Sequence, residues 1–221
     1  MKITIITLFP KVFPATLKIG IFKKFFNKKF KIEILDLKSF SRRVDSKPIG
    51  GGCGMIIKPE VIIKAIKSIE KKNTKIFYMS PVGYKLDTKF VENFNYKNII
   101  ILCGRYEGID ARLIDMFNMI PISIGDYILA GGEVASLVFL ESILRYKLSI
   151  PSNPLSLKEE SFQNNLLEFN QYTKPNKIRF KNKAYEVPKI LLSGHEKKIK
   201  EWKLENQKEN TKKYRPDLLN K

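Results

Sequence analysis

Asn98–Cys103 reads Asn-Ile-Ile-Ile-Leu-Cys, with four consecutive apolar residues and no polar position on which a solvent-facing side could form. So short an apolar run suits a strand buried on both faces of a sheet better than a helix. Lys2–Leu8 (Lys-Ile-Thr-Ile-Ile-Thr-Leu) is a second β-branched run, stopped by Phe9-Pro10. Phe30–Leu37 alternates apolar and polar residues, and Lys75–Met79 and Ile120–Ile124 read as further strands. Helical spacing lies between them: Phe13–Phe26 interrupted at Gly20, Pro59–Glu70, Asp87–Asn93, Ile109–Phe117 and Glu133–Tyr146. Strands alternating with helices predict an α/β chain built on a parallel sheet.

Three of the strands run into loops of one character: Ser80-Pro81-Val82-Gly83, Gly104-Arg105-Tyr106-Glu107-Gly108, and the stretch from Ile124 through Gly125 to Gly131-Gly132. Each alone is a tight turn, because glycine is the ordinary residue for positive φ. Together they predict one shared pocket, since open parallel sheets bind ligands beyond the carboxyl ends of their strands.

What is missing narrows the ligand. No GxxxxGK[ST] occurs, and Gly50-Gly51-Gly52-Cys53-Gly54 lacks the Lys and Ser/Thr that hold phosphate and magnesium. Phe9-Pro10 stands where a GxGxxG turn would follow the first strand of a dinucleotide-binding fold. The pocket therefore suits an uncharged or zwitterionic ligand, with Ile124, Tyr127, Ile128 and Leu129 packing an adenine ring.

The formal net charge of +19 is unevenly spread. Lys11–Lys47 has 11 basic and 3 acidic residues and Gln171–Lys221 has 15 and 6, whereas Lys75–Arg145 has 7 and 8. Coding bias would enrich lysine more evenly, so the clustering predicts a polyanionic partner, nucleic acid before membrane. Cys53 and Cys103 are far apart and His195 is the only histidine, which leaves no metal-ligand spacing and fits a reducing cytoplasm. No secretory pattern opens the chain, and no apolar run approaches the ~18 residues of a membrane span. Residues 1–150 read as a larger α/β domain. Residues 151–170 read as a polar, mobile linker, and 171–221 as a small basic domain in which Ser193 and Glu196 form a capping box opening a Lys-rich helix through about Lys208.

Cys103-Gly104-Arg105-Tyr106-Glu107-Gly108-Ile109-Asp110, with Ser123-Ile124-Gly125-Asp126-Tyr127 and Gly131-Gly132-Glu133, closely resembles the bacterial-type tRNA (guanine-N1)-methyltransferases of the SPOUT class. The resemblance continues through Phe9-Pro10, Pro48, Gly50–Gly52, Gly54-Met55, Ser80-Pro81, Ser161-Phe162, Tyr172-Thr173, Ser193-Gly194-His195 and Arg215-Pro216, so it covers essentially the whole chain. It implies a parallel sheet with a deep trefoil knot, an exception to the rule against knots, followed by a small, mainly helical C-terminal domain. It also implies a homodimer with the active site at the subunit interface, acting on transfer RNA. The implied cofactor is S-adenosylmethionine, bound in a bent form by residues drawn from Tyr78, Pro81, Gly104, Tyr106, Glu107, Ser123, Ile124, Gly125, Asp126, Tyr127, Ile128, Leu129, Gly131 and Gly132. Magnesium is not indicated by any feature of the sequence.

The implied acceptor is N1 of the guanosine immediately 3′ of the anticodon, which holds its proton at neutral pH and so needs a base. In the family that base is an aspartate two residues before a phenylalanine, supplied by the opposite subunit. Glu160 stands in its place, one methylene longer, with Glu159 a weaker candidate beside it. Arg145 resembles the arginine that steadies the guanine oxygen as negative charge builds. Gly54 corresponds to a position where backbone approaches the target nucleotide, although the usual preceding proline is Cys53. His195 and Lys197 are expected to face RNA from the small domain. Two other readings share these residues: a methyltransferase of the same class for a different RNA position, and an RNA-binding protein that keeps the fold without catalysis.

Overall fold

The computed structural model describes residues 1–25, 29–69, 73–147 and 160–220. The chain divides into two compact units, Met1–Ile150 and Pro151–Lys221.

The first unit is a five-stranded sheet of β1 (Lys2–Thr7), β2 (Lys31–Asp36), β5 (Thr74–Lys85), β6 (Asn98–Cys103) and β7 (Ile120–Ser123). Its order is β2-β1-β6-β5-β7, and every neighbouring pair is parallel. Between these strands come helices α1 (Phe13–Thr16), α2 (Gly20–Phe25), α3 (Pro59–Lys67), α4 (Thr88–Glu92) and α5 (Arg112–Met116), and α6 (Gly132–Lys147) follows β7. A two-stranded antiparallel ribbon, β3 (Asp45–Ser46) with β4 (Ile56–Ile57), brackets the glycine run at 50–54.

The alternation of side chains along the central strands divides the core in two. Ile3, Ile5, Phe77, Met79, Ile99 and Ile101 meet Phe139, Leu140, Ile143 and Leu144 of α6 on one face. Ile6, Ile76, Tyr78, Ile100 and Leu102 meet Val61, Ile62 and Ala65 of α3 on the other. Covering both faces is what removes any polar position from the middle of β6.

Several local expectations change. Ser80–Gly83 is not a loop after a finished strand: β5 pairs with β7 up to Met79, shifts register, and pairs again through Tyr84 and Lys85. The four residues form an irregularity that re-aims the strand, the usual effect of a bulge beside a site. Gly83 is pressed against the β7 backbone, where an added Cβ would lie 2.6 Å from the Ile122 nitrogen.

In the second unit, expected to be mainly helical, a hairpin of β8 (Lys177–Phe180) and β9 (Lys183–Glu186) accompanies the long helix α7 (Glu196–Tyr214). The hairpin turns on Lys181 and Asn182, both at positive φ as a tight two-residue turn requires. α7 extends past Lys208, and the expected capping box is not formed. His195 is the N-cap residue with no side-chain capping bond, while the Ser193 hydroxyl donates to the Ile190 carbonyl and accepts from the His195 amide.

Residues 151–159 of the expected mobile linker, Glu159 among them, lie outside the described residues. Its remainder, 160–170, is fastened along α7. The Leu167 amide donates to Thr211 Oγ1 at 2.9 Å and the Asn170 amide to Asn206 Oδ1 at 2.8 Å. Asn210 Nδ2 donates to the Glu168 carbonyl at 2.8 Å. These side chains recur on one face of the helix, which therefore satisfies the backbone of an otherwise irregular segment.

Candidate functional site

Between the irregularity in the middle of β5 and the carboxyl ends of β6 and β7 lies a cavity of about 260 Å³. The structure gathers Tyr78, Pro81, Gly104, Tyr106, Glu107, Ser123, Ile124, Gly125, Tyr127, Ile128, Leu129, Gly131 and Gly132 around it. Asp126, grouped with them from the sequence, is not among the lining residues.

Glycine is required at several of these positions by close approach. At Gly104 a Cβ would stand 3.0 Å from the Tyr78 ring, and at Gly132 it would stand 2.9 Å from both Cys103 Cα and the Gly104 nitrogen. The Gly132 amide donates to the Gly104 carbonyl at 2.8 Å, and Arg105 and Gly131 form an antiparallel bridge. Hence the start of α6 is backed directly onto the end of β6. Gly125 is at φ +153, and the Ser123 hydroxyl donates to its carbonyl at 3.1 Å.

The walls are chemically unequal. Ile128 and Tyr127 are 79% and 55% exposed and provide apolar surface at the mouth, with Leu129 beside them. Tyr78 is buried at the floor; burial pushes its phenol above the ordinary value, so the hydroxyl keeps its proton. Arg105 is the only cation among the lining residues and Glu107 the only carboxylate. Burial pushes the Cys103 thiol at the end of β6 up to about 12, which makes it a packing group and not a nucleophile.

Arg105 belongs to a network that sequence reasoning missed. Glu133, 1% exposed in the first turn of α6, accepts from Thr7 Oγ1 at 2.7 Å and from Arg105 Nε at 2.8 Å. The Arg105 guanidinium also donates to the Ala130 carbonyl at 3.0 Å and stacks 4.2 Å from the Phe9 ring centroid. Phe9 thus fills, with an aromatic ring and a paired guanidinium, the place after β1 where other α/β folds cradle phosphate.

Gly54 is at φ +83 and abuts the Glu107 side chain, and the Glu107 amide donates to the Met55 carbonyl at 2.9 Å. The glycine run at 50–54 is thereby tied to the cavity. Tyr106 is at φ +59, and desolvation, followed by the Asp45 carboxylate at the start of the same ribbon, pushes its phenol above the ordinary value. Cys53 is exposed.

Arg145 is in the last turn of α6 in the first unit, partly buried. Glu160 belongs to the second unit. Its carbonyl accepts from the Gln163 amide, and the turn that follows carries Phe162 at φ +78, closed by a 2.7 Å bond from the Phe162 amide to the Leu166 carbonyl. A bulky residue held in the left-handed region marks a segment whose shape is imposed by its surroundings. His195 and Lys197 are exposed at the start of α7. Among the described residues no group of three His, Cys, Asp or Glu could hold a metal ion, and no helix is long and apolar enough to cross a membrane.

Glycine-bearing segments gathered along one side of a parallel sheet form a cavity of the kind in which α/β proteins take small organic ligands. The chain matches, over residues 1–221, the family model described as tRNA (Guanine-1)-methyltransferase TrmD, and it belongs to that family. It is similar to proteins named tRNA (guanine-N(1)-)-methyltransferase from several bacteria. The protein of Ehrlichia ruminantium (strain Gardel) is 44% identical over 228 residues, covering 99% of this chain and 95% of the relative. That of Endomicrobium trichonymphae is 41% identical over 238 residues, covering all of both chains. That of Mycoplasma mycoides is 44% identical over 226 residues, covering 99% of this chain and 92% of the relative.

Proposed function

We propose that the protein methylates N1 of the guanosine immediately 3′ of the anticodon in transfer RNA, with S-adenosylmethionine as donor, in the cytoplasm and as a homodimer whose subunits share each active site. The observation that carries this reading is the convergence of the β5 irregularity and the loops after β6 and β7 on one cavity, in a chain matched from end to end by a transfer-RNA guanine methyltransferase family.

The cavity suits that donor. Ile124, Tyr127, Ile128 and Leu129 offer an adenine ring apolar faces, and Gly104, Gly131 and Gly132 let backbone amides and carbonyls read its polar edge. Arg105 is already paired with Glu133, so no lining cation is set to hold a phosphate, and Glu107 supplies negative charge toward a cationic ligand. When bound, the donor supplies an electrophilic methyl group on a sulfonium. In this reading Glu160 takes the proton from N1, and Arg145 donates to the guanine oxygen as negative charge accumulates there. His195, Lys197 and the basic face of α7 contact RNA phosphates, and Gly54 lets backbone approach the target base. The trefoil knot belongs to the same proposal. It is supported by β5 lying between β6 and β7 while the chain after β7 returns to the end of β6.

Incubation with labelled S-adenosylmethionine and total transfer RNA, followed by nucleoside mapping, tests the reading. The expected product is 1-methylguanosine at the one position next to the anticodon. Label at another nucleotide indicates a different target for the same pocket, and absence of donor binding in calorimetry leaves an RNA-binding protein without catalysis.

A further inference from the structure

We propose that Thr7, Glu133 and Arg105 form a positioning triad that holds the donor-binding loops in their competent arrangement, a role that rests on the donor reading above and that none of the three fills by reacting.

Both oxygens of the Glu133 carboxylate are committed as acceptors, one to Thr7 Oγ1 at 2.7 Å and one to Arg105 Nε at 2.8 Å. The direction at Thr7 is settled by its second partner: the Phe9 amide donates to Thr7 Oγ1 at 2.9 Å, so the hydroxyl proton points to Glu133. Arginine cannot accept at all. Both bonds suit a carboxylate, and Glu133 lies in the first turn of a 16-residue helix, where the aligned peptide dipoles favour negative charge.

This one carboxylate joins three separate chain segments. Thr7 ends β1 and Phe9 follows it, Arg105 is in the loop after β6, and Ala130 and Gly131 lead into the first turn of α6, which holds Glu133. Glu133 does not line the cavity, but Arg105, Ala130, Gly131 and Gly132 do. The Arg105 side chain packs into the space a side chain at 131 would need, and its guanidinium donates to the Ala130 carbonyl. Release of Arg105 would free both the 104–108 loop and the 129–132 approach, two walls of the same pocket. An ion pair with one partner buried, as Glu133 is here, is a poor source of stability compared with apolar packing of equal volume. Its placement between loops accounts for it better: it defines a geometry.

The test compares Glu133→Gln, Thr7→Val and Thr7→Ser with the wild-type full-length protein, measuring donor affinity by calorimetry, thermal stability without donor, and kcat and KM for donor and transfer RNA separately. Gln keeps the shape but turns an NH2 toward one of two donors, removing a charge-assisted bond. Donor Kd and KM are expected to rise about tenfold or more, with kcat at saturating donor and KM for transfer RNA within about twofold of wild type. Thr7→Val is expected to show the same pattern more weakly, and Thr7→Ser to restore wild-type values. Should Glu133→Gln fail to fold, the Thr7 pair still gives the answer. Unchanged donor affinity in the folded variants, or losses in kcat and in KM for both substrates alike, would overturn the proposal. Wild-type protein that does not bind S-adenosylmethionine overturns the donor reading itself, which is a separate result.

Discussion

Gly54 lies so close to Glu107 that a Cβ at position 54 would stand 2.6 Å from the Glu107 Cγ. A residue assigned to RNA and a residue assigned to the donor pocket are thus in contact. Gly54→Ala adds this clash to a φ of +83 that L residues adopt at a cost of about 1–2 kcal/mol. We expect a modestly lowered melting temperature together with a raised KM for both donor and transfer RNA, measured by thermal unfolding and steady-state kinetics. A rise in only one KM would show that the contact does not couple the two.

Among the pocket glycines, substitutions should rank by what the new atoms meet. Gly132→Ala drives a Cβ into backbone at Cys103 and Gly104, which has nowhere to go, whereas Gly125→Val meets the Tyr127 ring at a strained φ of +153. Both are expected to abolish measurable donor binding in calorimetry. Gly132→Ala should in addition destabilise the fold by several degrees, because α6 must move off β6.

Glu160→Gln keeps size and hydrogen bonding while removing the base. Turnover should fall by about 10²–10⁴-fold with donor affinity unchanged, the ordinary loss for a general base. Unchanged turnover would remove Glu160 from the proposed chemistry.

Thr211 is fully buried, and its hydroxyl both accepts from the Leu167 amide and donates to the Gln207 carbonyl. Thr211→Val strands a backbone donor, a loss of about 1–3 kcal/mol. The expected signs are faster proteolysis within 160–170 and a lower kcat, with KM for donor unchanged.

Cys103 and Cys53 should differ in reactivity. Near pH 8 the Cys103 thiol, pushed up to about 12 by burial, stays protonated and shielded, so a soluble alkylating agent should add once to the native chain, at exposed Cys53, and twice after denaturation. The unfolded thiol ionises near 9.0, so the folded state holds a proton that the unfolded state releases; stability from this group is complete below 9.0 and is lost as pH rises through about 12. Mass spectrometry and alkaline unfolding check the two parts.

The strands were readable because β-branched runs buried on both faces have no polar interruption, as β6 shows. Ser80–Gly83 misled because Pro and Gly mark a turn in sequence, while the register shift that lets β5 resume at Tyr84 is a property of its neighbour β7. The β8–β9 hairpin is written in the alternation of Lys177, Ile178, Arg179 and Phe180 and in the turn residue Asn182, but the lysine-rich setting masks that signal. Thr7 and Glu133 are 126 positions apart, and nothing local announces their bond. The glycines of the cavity could be grouped because they sit at strand ends, but their contacts with Cys103, Tyr78 and Glu107 depend on three-dimensional packing.

Fastening 160–170 to α7 has a consequence for timing. A carboxylate on a free tether samples many orientations, and only a small fraction of encounters would find it aligned. Here Glu160 turns with a 19-residue rod. Under the proposed function, an RNA that grips the basic face of that rod also aims the carboxylate, so that substrate capture and assembly of the proton acceptor become a single event.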